Sequence, residues 1–377
     1  MDRFIYQQPE WPAFRWDQGR LAPSLAAVRH KQGRLLGHME ALGFGLRAEA
    51  SLQALTEEAV KSSDIEGEVL DREQVRSSLA RRLGIDIGVD LPAERHVEGI
   101  ADMMLDATRH YDRPLTAERL FGWQAALFPF GRSDLKKIVT GAWRDEKSEP
   151  MQVVSGPPHR ERIHFEAPAA STLTHEMDAF LRWFNHDDGT EPVLRAGIAH
   201  LWFVTVHPFE DGNGRIARAL TDMALARSEH SAQRFYSMSA QIRKERRGYY
   251  DILESTQKSG LEITPWLIWF LDCLGRAIEG AATVMESVLA KAHFWNAHAD
   301  AILNARQRLV LNRLLDGFEG KLTSSKWARL AKCSQDTAGR DIADLMKQGI
   351  LTKDAAGGRS TSYSLALLHK AKAIPPP

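Results

Sequence analysis

The chain has 377 residues, 44% of them apolar, with 49 basic and 49 acidic side chains. That length is too great for one ordinary core, so two or three domains are expected. The neutral charge argues against wholesale binding to nucleic acid or an anionic membrane, although a small basic patch can hide in the average. Met1-Asp2-Arg3-Phe4 opens no signal-like apolar stretch, and no run nears the ~18 residues of a membrane span. Cys273 and Cys333 are far apart, without zinc-like Cys/His spacing, and read as reduced core thiols. A cytoplasmic protein without a membrane partner is expected.

Strand signals are sparse and helical periodicity is common, so the fold class is mainly α. Residues 1–110 begin with aromatic, Pro-punctuated chain (Trp11, Pro12, Phe14, Trp16) and continue as helices. Leu52, Leu55, Ala59 and Val60 mark the apolar face of one that runs into Ser62-Ser63-Asp64-Ile65-Glu66-Gly67. Ser62 and Glu66 lie one turn apart on one side, and Gly67 suits the helix end. A second segment, 111–277, starts where Pro114-Leu115-Thr116 opens a helix. Within it, Met151-Gln152-Val153-Val154-Ser155-Gly156-Pro157-Pro158 and Arg162-Ile163-His164-Phe165 read as two short strands around a Gly-Pro-Pro turn.

The densest chemistry follows the apolar run Leu201–Val206, in His207-Pro208-Phe209-Glu210-Asp211-Gly212-Asn213-Gly214-Arg215-Ile216-Ala217-Arg218. Pro208 disfavours helix at His207 and so fixes where the preceding helix ends. Ile216, Ala219, Leu220, Met223 and Ala224 then recur at helical spacing. Gly212 and Gly214 let a ligand approach the main chain, and the helix starting near Arg215 offers unpaired N–H groups to a polyphosphate. Arg215 and Arg218, three apart, project toward the same end and can grip phosphate oxygens. Asp211 beside phosphates makes sense as a Mg²⁺ ligand, since magnesium takes one or two carboxylates plus phosphate oxygens. His207 is the natural general base for a hydroxyl nucleophile.

This segment resembles the Fic-domain signature, His-Pro-Phe-x-Asp/Glu-Gly-Asn-Gly-Arg-x-x-Arg, without a departure. The resemblance implies a Fic helical core with a small β-hairpin flap, and transfer of AMP from ATP onto a hydroxyl of a target protein. It implies that His207 deprotonates the target, Asp211 binds Mg²⁺, Asn213 and the loop amides hold the α-phosphate, and Arg215 and Arg218 hold the outer phosphates. Ser62–Gly67 resembles the family's inhibitory Ser/Thr-x-x-x-Glu-Gly/Asn motif, whose glutamate, here Glu66, reaches the second arginine, here Arg218. The 151–165 hairpin resembles the flap, with Gly141-Ala142-Trp143-Arg144 as its usual lead-in; Val153, Val154, Ser155 and Gly156 would dock an extended target segment. Tyr249 and Tyr250 match the family's base and ribose contacts, although aromatics at this spacing also suit a core. Trp266, Ile268, Trp269, Phe270 and Leu271 read as the buried last helix of the domain.

An Ala-rich helical connector is expected over 278–300 and a separate domain over 301–377. There Leu322–Ala331 suggests a capped helix, Cys333-Ser334-Gln335 a turn, and Asp336–Gln348 a helix with Ala338, Ile342, Leu345 and Met346 facing inward. Two strands flanking Gly357-Gly358-Arg359 complete a resemblance to a winged helix-turn-helix. In a DNA reader Gln335, Asp336, Thr337 and Arg340 would meet the major groove and Arg359 a phosphate; Asp336, Asp341 and Asp344 weigh against it by charging the helix negatively. Such modules also dock proteins or dimerise, so a homo-oligomer is compatible with the sequence. The same core is compatible with removal of AMP, with another nucleotide donor, or with a nucleotide-sensing DNA-binding regulator.

Overall fold

The computed structural model describes residues 4–88, 91–133, 136–148, 150–155, 162–315, 318, 320–354 and 361–366. The chain divides into two compact units, 1–83 with 91–282 and 84–90 with 283–377. Gly156 with the Gly-Pro-Pro turn, and Gly357-Gly358-Arg359, lie outside the described residues.

The first unit is built from α1 (Gln18–Glu40), α2 (Phe44–Ile65), α3 (Arg72–Leu83), α4 (Arg95–Arg109) and α5 (Ala117–Leu127). Two hairpins follow, β1 (Arg132–Ser133) with β2 (Lys136–Lys137) and β3 (Gln152–Ser155) with β4 (Arg162–Glu166). Then come α6 (Leu173–Asn185), α7 (Pro192–Val206), α8 (Asn213–Glu229), α9 (Met238–Lys244), α10 (Arg246–Gln257) and α11 (Thr264–Ala297), whose residues from 283 on belong to the second unit. The fold is mainly α, as the periodicity predicts.

α7 is apolar on every side, and a helix of that kind must be surrounded. All but two of its 15 residues are buried. Its start is set by Pro192 in the first turn and by Glu191, whose carboxylate accepts from the Val193 and Leu194 N–H groups at 2.8 and 3.0 Å. Gly197 permits the crossing with α11: a Cβ there would lie 3.0 Å from the Phe270 ring. The N-terminal aromatic stretch closes another side, with Trp11 and Phe14 edge-on to Trp202. α11 continues unbroken to Ala297, through most of the stretch expected as a helical connector. Trp266, Phe270 and Leu271 are buried as expected, but Ile268 and Trp269 are only half-buried, since a helix side shifts by 100° per residue.

α2 carries a polar stripe as well as an apolar face. Glu58, Ser62 and Glu66 recur every fourth residue and therefore share one side. Glu58 is buried and caps α9: it accepts from the Ser239 N–H at 2.9 Å and from the Ser237 and Ser239 hydroxyls. Asp64 adds an ion pair to Arg243 of α9 at 2.9 Å. The end of α2 is thus fixed to the element that leads directly into α10.

The second unit contains α12 (Ala305–Leu315), α13 (Ser324–Leu330), α14 (Gln335–Lys347) and a hairpin of β5 (Leu351–Lys353) with β6 (Tyr363–Leu365). Phe294, Val310, Leu311, Trp327, Ile342 and Leu345 are part of its own core. Ala338, Ile342 and Leu345 face inward as expected, but Met346 is 38% exposed. Asp341, expected on the outer surface, is buried: Arg306 forks onto it at 2.9 and 3.0 Å. Both departures have one cause, a core centred between the Ala338 and Leu345 positions of the helix, which turns Met346 outward and Asp341 toward α12. Neither cysteine is bridged; Cys273 is buried, while Cys333 is half-buried.

Replacing Glu58 by Ala would leave the Ser239 N–H and two hydroxyls buried without an acceptor. A loss of roughly 3 kcal/mol is expected, seen as a melting temperature lower by about 6–12 °C. An unchanged melt would remove this cap from the account of how α2 is held.

Candidate active site

α7 ends at Val206, and His207 takes a left-handed conformation, φ 51° and ψ 58°, as its C-cap. Such a φ is uncommon for a residue with a side chain, and a buried one must be held by its surroundings. Arg144 supplies part of that hold. Its Nε donates to the His207 carbonyl at 2.9 Å, its N–H to the Pro208 carbonyl at 2.9 Å, and Nη2 to the Pro168 carbonyl. Asn213 closes the turn by accepting from the Phe209 N–H at 3.0 Å and donating to the Phe209 carbonyl at 2.7 Å. Both polar atoms of the Asn213 side chain therefore serve the loop itself, which differs from the phosphate contact expected of it. Gly212, at φ 91°, precedes α8, whose first residue is Asn213, two earlier than expected.

The His207 ring leans on the Val204 carbonyl through Nδ1 at 3.3 Å and lines a cavity of about 590 Å³. A carbonyl can only accept, so Nδ1 carries the proton and Nε2 is the basic nitrogen. Burial lowers the imidazole's pKa below its usual value, and the Arg144 charge adds to this. The neutral form is therefore the working form near pH 7. Around the same cavity stand Glu66, Gly214, Tyr249, Tyr250, and Val153 and Val154 of β3.

Arg218 is buried on the next turn of α8. Its Nε donates to the Ser62 hydroxyl at 2.8 Å, and Nη2 donates to the Ser62 carbonyl at 2.8 Å and to Glu66 Oε1 at 2.7 Å. Burial opposes the charge on this guanidinium, but the Glu66 carboxylate, with the tyrosine hydroxyls, outweighs it and raises the pKa further. Among the described residues the remaining nitrogen, Nη1, is buried without a hydrogen-bond partner of good geometry. Glu66 Oε1 also lies against Gly214, where a Cβ would stand only 2.1 Å away. The carboxylate thus sits over the first turn of α8.

Arg215 points elsewhere than Arg218. It stacks over Phe128 at 4.9 Å and pairs with Glu68 at 2.6 Å, with Asp211 at 3.7 Å. Sequence reasoning missed Glu68, although it stands two residues beyond the inhibitory motif. Asp211 is half-exposed; it accepts from the Gly212 N–H at 2.5 Å and from the Ser133 hydroxyl of β1. Ser133 had no signal, because its two-residue strand is set by the hairpin's packing. Tyr249 is buried and its hydroxyl meets His200 Nε2 at 2.8 Å, so it belongs to the wall; Tyr250, 38% exposed, presents its ring to the cavity. Val153 and Val154 are exposed, and β3 pairs with β4 alone.

Residues 114–225, which include this turn and both arginines, match the Fic/DOC family. The chain carries a Fic domain. Residues 4–85 match a second family, described as a domain of unknown function (DUF4172). The Culex quinquefasciatus protein adenylyltransferase Fic is 26% identical over 255 residues, covering 66% of this chain and 46% of that protein. The Drosophila melanogaster protein of the same name is 31% identical over 114 residues, 30% of this chain and 22% of its own. The chain spans less than half the length of these relatives. A Fic-domain signaling protein from Bacteroides thetaiotaomicron has the same fold, with a TM-score of 0.50 at 19% identity over 70% of this chain and 97% of its own.

The half-buried imidazole of the Fic turn should titrate below 6.5, with the proton of its neutral form on Nδ1. Proton–nitrogen correlation NMR across pH 4–8 reads both. A neutral ring protonated on Nε2 at pH 7 would contradict the arrangement.

Proposed function

We propose that this chain transfers AMP from ATP to a hydroxyl side chain of a target protein, and that Glu66 restrains it. The reading rests most on one observation. An imidazole whose Nε2 has no hydrogen-bond partner among the described residues shares a cavity with a helix N-terminus, and beside that terminus a buried arginine keeps one donor, Nη1, without a partner among them. Helix N-termini and planar guanidiniums are what a polyphosphate requires.

In this reading Nε2 of His207 takes the proton of the target hydroxyl as its oxygen attacks the α-phosphorus. The bond from that phosphorus to the bridging oxygen breaks, and pyrophosphate leaves with the electron pair. The Gly212–Gly214 backbone and the start of α8 accommodate the phosphates, Arg218 holds the outer ones, joined by Arg215 only once it leaves Glu68, and Asn213 keeps the loop in shape. Tyr250 offers a ring to the base. Asp211, half-exposed at the turn, would hold Mg²⁺ together with phosphate oxygens, since magnesium takes one or two carboxylates plus phosphate oxygens. That ion would neutralise charge on the leaving group. The open edge of β3, with Val153, Val154 and Ser155, suits a target segment paired through its main chain.

Restraint follows from two carboxylates. Glu66 occupies the approach over Gly214 and holds Nη2 of Arg218, while Glu68 holds Arg215. A phosphate entering this space would meet negative charge and find its cations already paired. Glu66→Gly is expected to raise incorporation of labelled AMP into proteins of a cell extract at least about tenfold, corresponding to ~1.4 kcal/mol of released restraint, and Glu68→Ala in that background to raise it further. Mass spectrometry of the modified side chains identifies the target; equal incorporation by wild type and Glu66→Gly would remove the restraint.

His207→Ala in the Glu66→Gly background should lower transfer by about 10²–10⁴-fold while ATP still binds, since only the base is lost. In the parent Glu66→Gly protein, kcat/KM should fall as pH drops through the depressed His207 pKa, placing the acid limb below pH 6.5. Rapid transfer by the alanine variant would reassign the base.

A further inference from the structure

The neutral total conceals a division of charge along the chain. Residues 301–377 hold 13 of the 49 basic side chains and only 6 of the 49 acidic ones, a net +7 against −7 on residues 1–300. Within this unit α14 turns two of these cations, Arg340 and Lys347, outward. Asp341 is buried against Arg306, whereas Asp344 stays exposed beside Arg340 and accepts from Gln307 of α12 at 2.8 Å. The side turned away from the core carries Asp336, Gly339, Arg340, Ala343 and Lys347, all exposed and spaced as a single helical stripe. Arg329 of α13, Lys332 in the turn before α14 and Lys353 at the end of β5 are exposed too. None of these five cations has an ion-pair partner among the described residues.

We propose that this unit binds duplex DNA, with the outer stripe of α14 entering the major groove. The order of elements suits such a reader. α13 and α14 are short helices, each started by a side-chain cap from Thr323 or Ser334, joined by a four-residue turn and followed by an antiparallel hairpin. That is the layout of a winged helix-turn-helix, in which the second helix lies in the groove. Gly339 and Ala343 keep the middle of the stripe low, so base edges can come close, and a Cβ on Gly339 would meet nothing within 4 Å. Arg340 and Lys347 flank that stretch, where Arg can reach guanine and Lys a phosphate. Asp336, the acid left on the stripe, can accept from the cytosine amino group. A protein partner would instead favour an apolar outer face, and small and charged residues predominate there.

The test uses the full-length chain and a fluorescein-labelled mixed-sequence duplex of about 30 base pairs, read by fluorescence anisotropy. Five free cations predict binding whose logarithmic salt slope is about −4 to −5 between about 50 and 200 mM salt. The doubly reversed variant Arg340→Glu/Lys347→Glu, which alters only exposed positions, should weaken binding at least about tenfold and reduce the slope by about two. Its melting temperature should match the parent's. Absence of binding at about 50 mM salt, or binding indifferent to the double reversal, would overturn the proposal. Poly-glutamate competing as well as unlabelled duplex would overturn it in favour of a protein-docking surface.

Discussion

A buried arginine needs a negative partner, and in this protein that need organises the first unit. Arg218 lies on the first turns of α8, out of contact with water, where an unpaired guanidinium would be costly. α2 supplies what it lacks through the Ser62 hydroxyl and carbonyl and the Glu66 carboxylate. The same place is where a phosphate would be stabilised by the start of α8. In the proposed reading, nucleotide and helix compete for a single cation, and the protein is stable with either one.

Such a competition requires α2 to be held firmly yet by contacts that do not touch the chemistry. Glu58 and Asp64 meet this condition, because they join α2 to α9 rather than to the phosphate site. α9 leads straight into α10, which carries Tyr249 and Tyr250 on the cavity wall. The position of α2 and the shape of the cavity are therefore linked through packed helices. His207 is fixed from another direction: Arg144 ties its left-handed turn to Pro168, just beyond β4.

Much of the site was legible because its residues are local in sequence. His207 to Arg218 lie within twelve positions, so spacing alone brings an imidazole, a glycine-rich turn and a helix start together, but it does not show that Arg215 and Arg218 point apart. The Ser62 to Glu66 stripe was legible for the same reason, one helical turn being enough to put both groups on one side. Less legible were the partners that meet only through folding. Glu68 on Arg215, Ser133 on Asp211 and His200 on Tyr249 join segments between 49 and 147 residues apart. Asn213 looked like a ligand contact and instead staples its own turn. Asp341 looked like a surface charge, and the register of α14 made it a buried partner of Arg306.

The sequence by itself determined that the chain is mainly helical, that it holds a Fic turn after an all-apolar helix, and which side chains there can bear chemistry. Those properties depend on backbone preferences and on neighbours a few residues away. The tertiary structure alone decided which carboxylate meets which guanidinium, which nitrogen of His207 stays basic, and which side of α14 is left bare. Each of these depends on contacts between distant segments, where burial changes the strength of a charge and a rotation of 100° per residue decides whether it meets a partner or water.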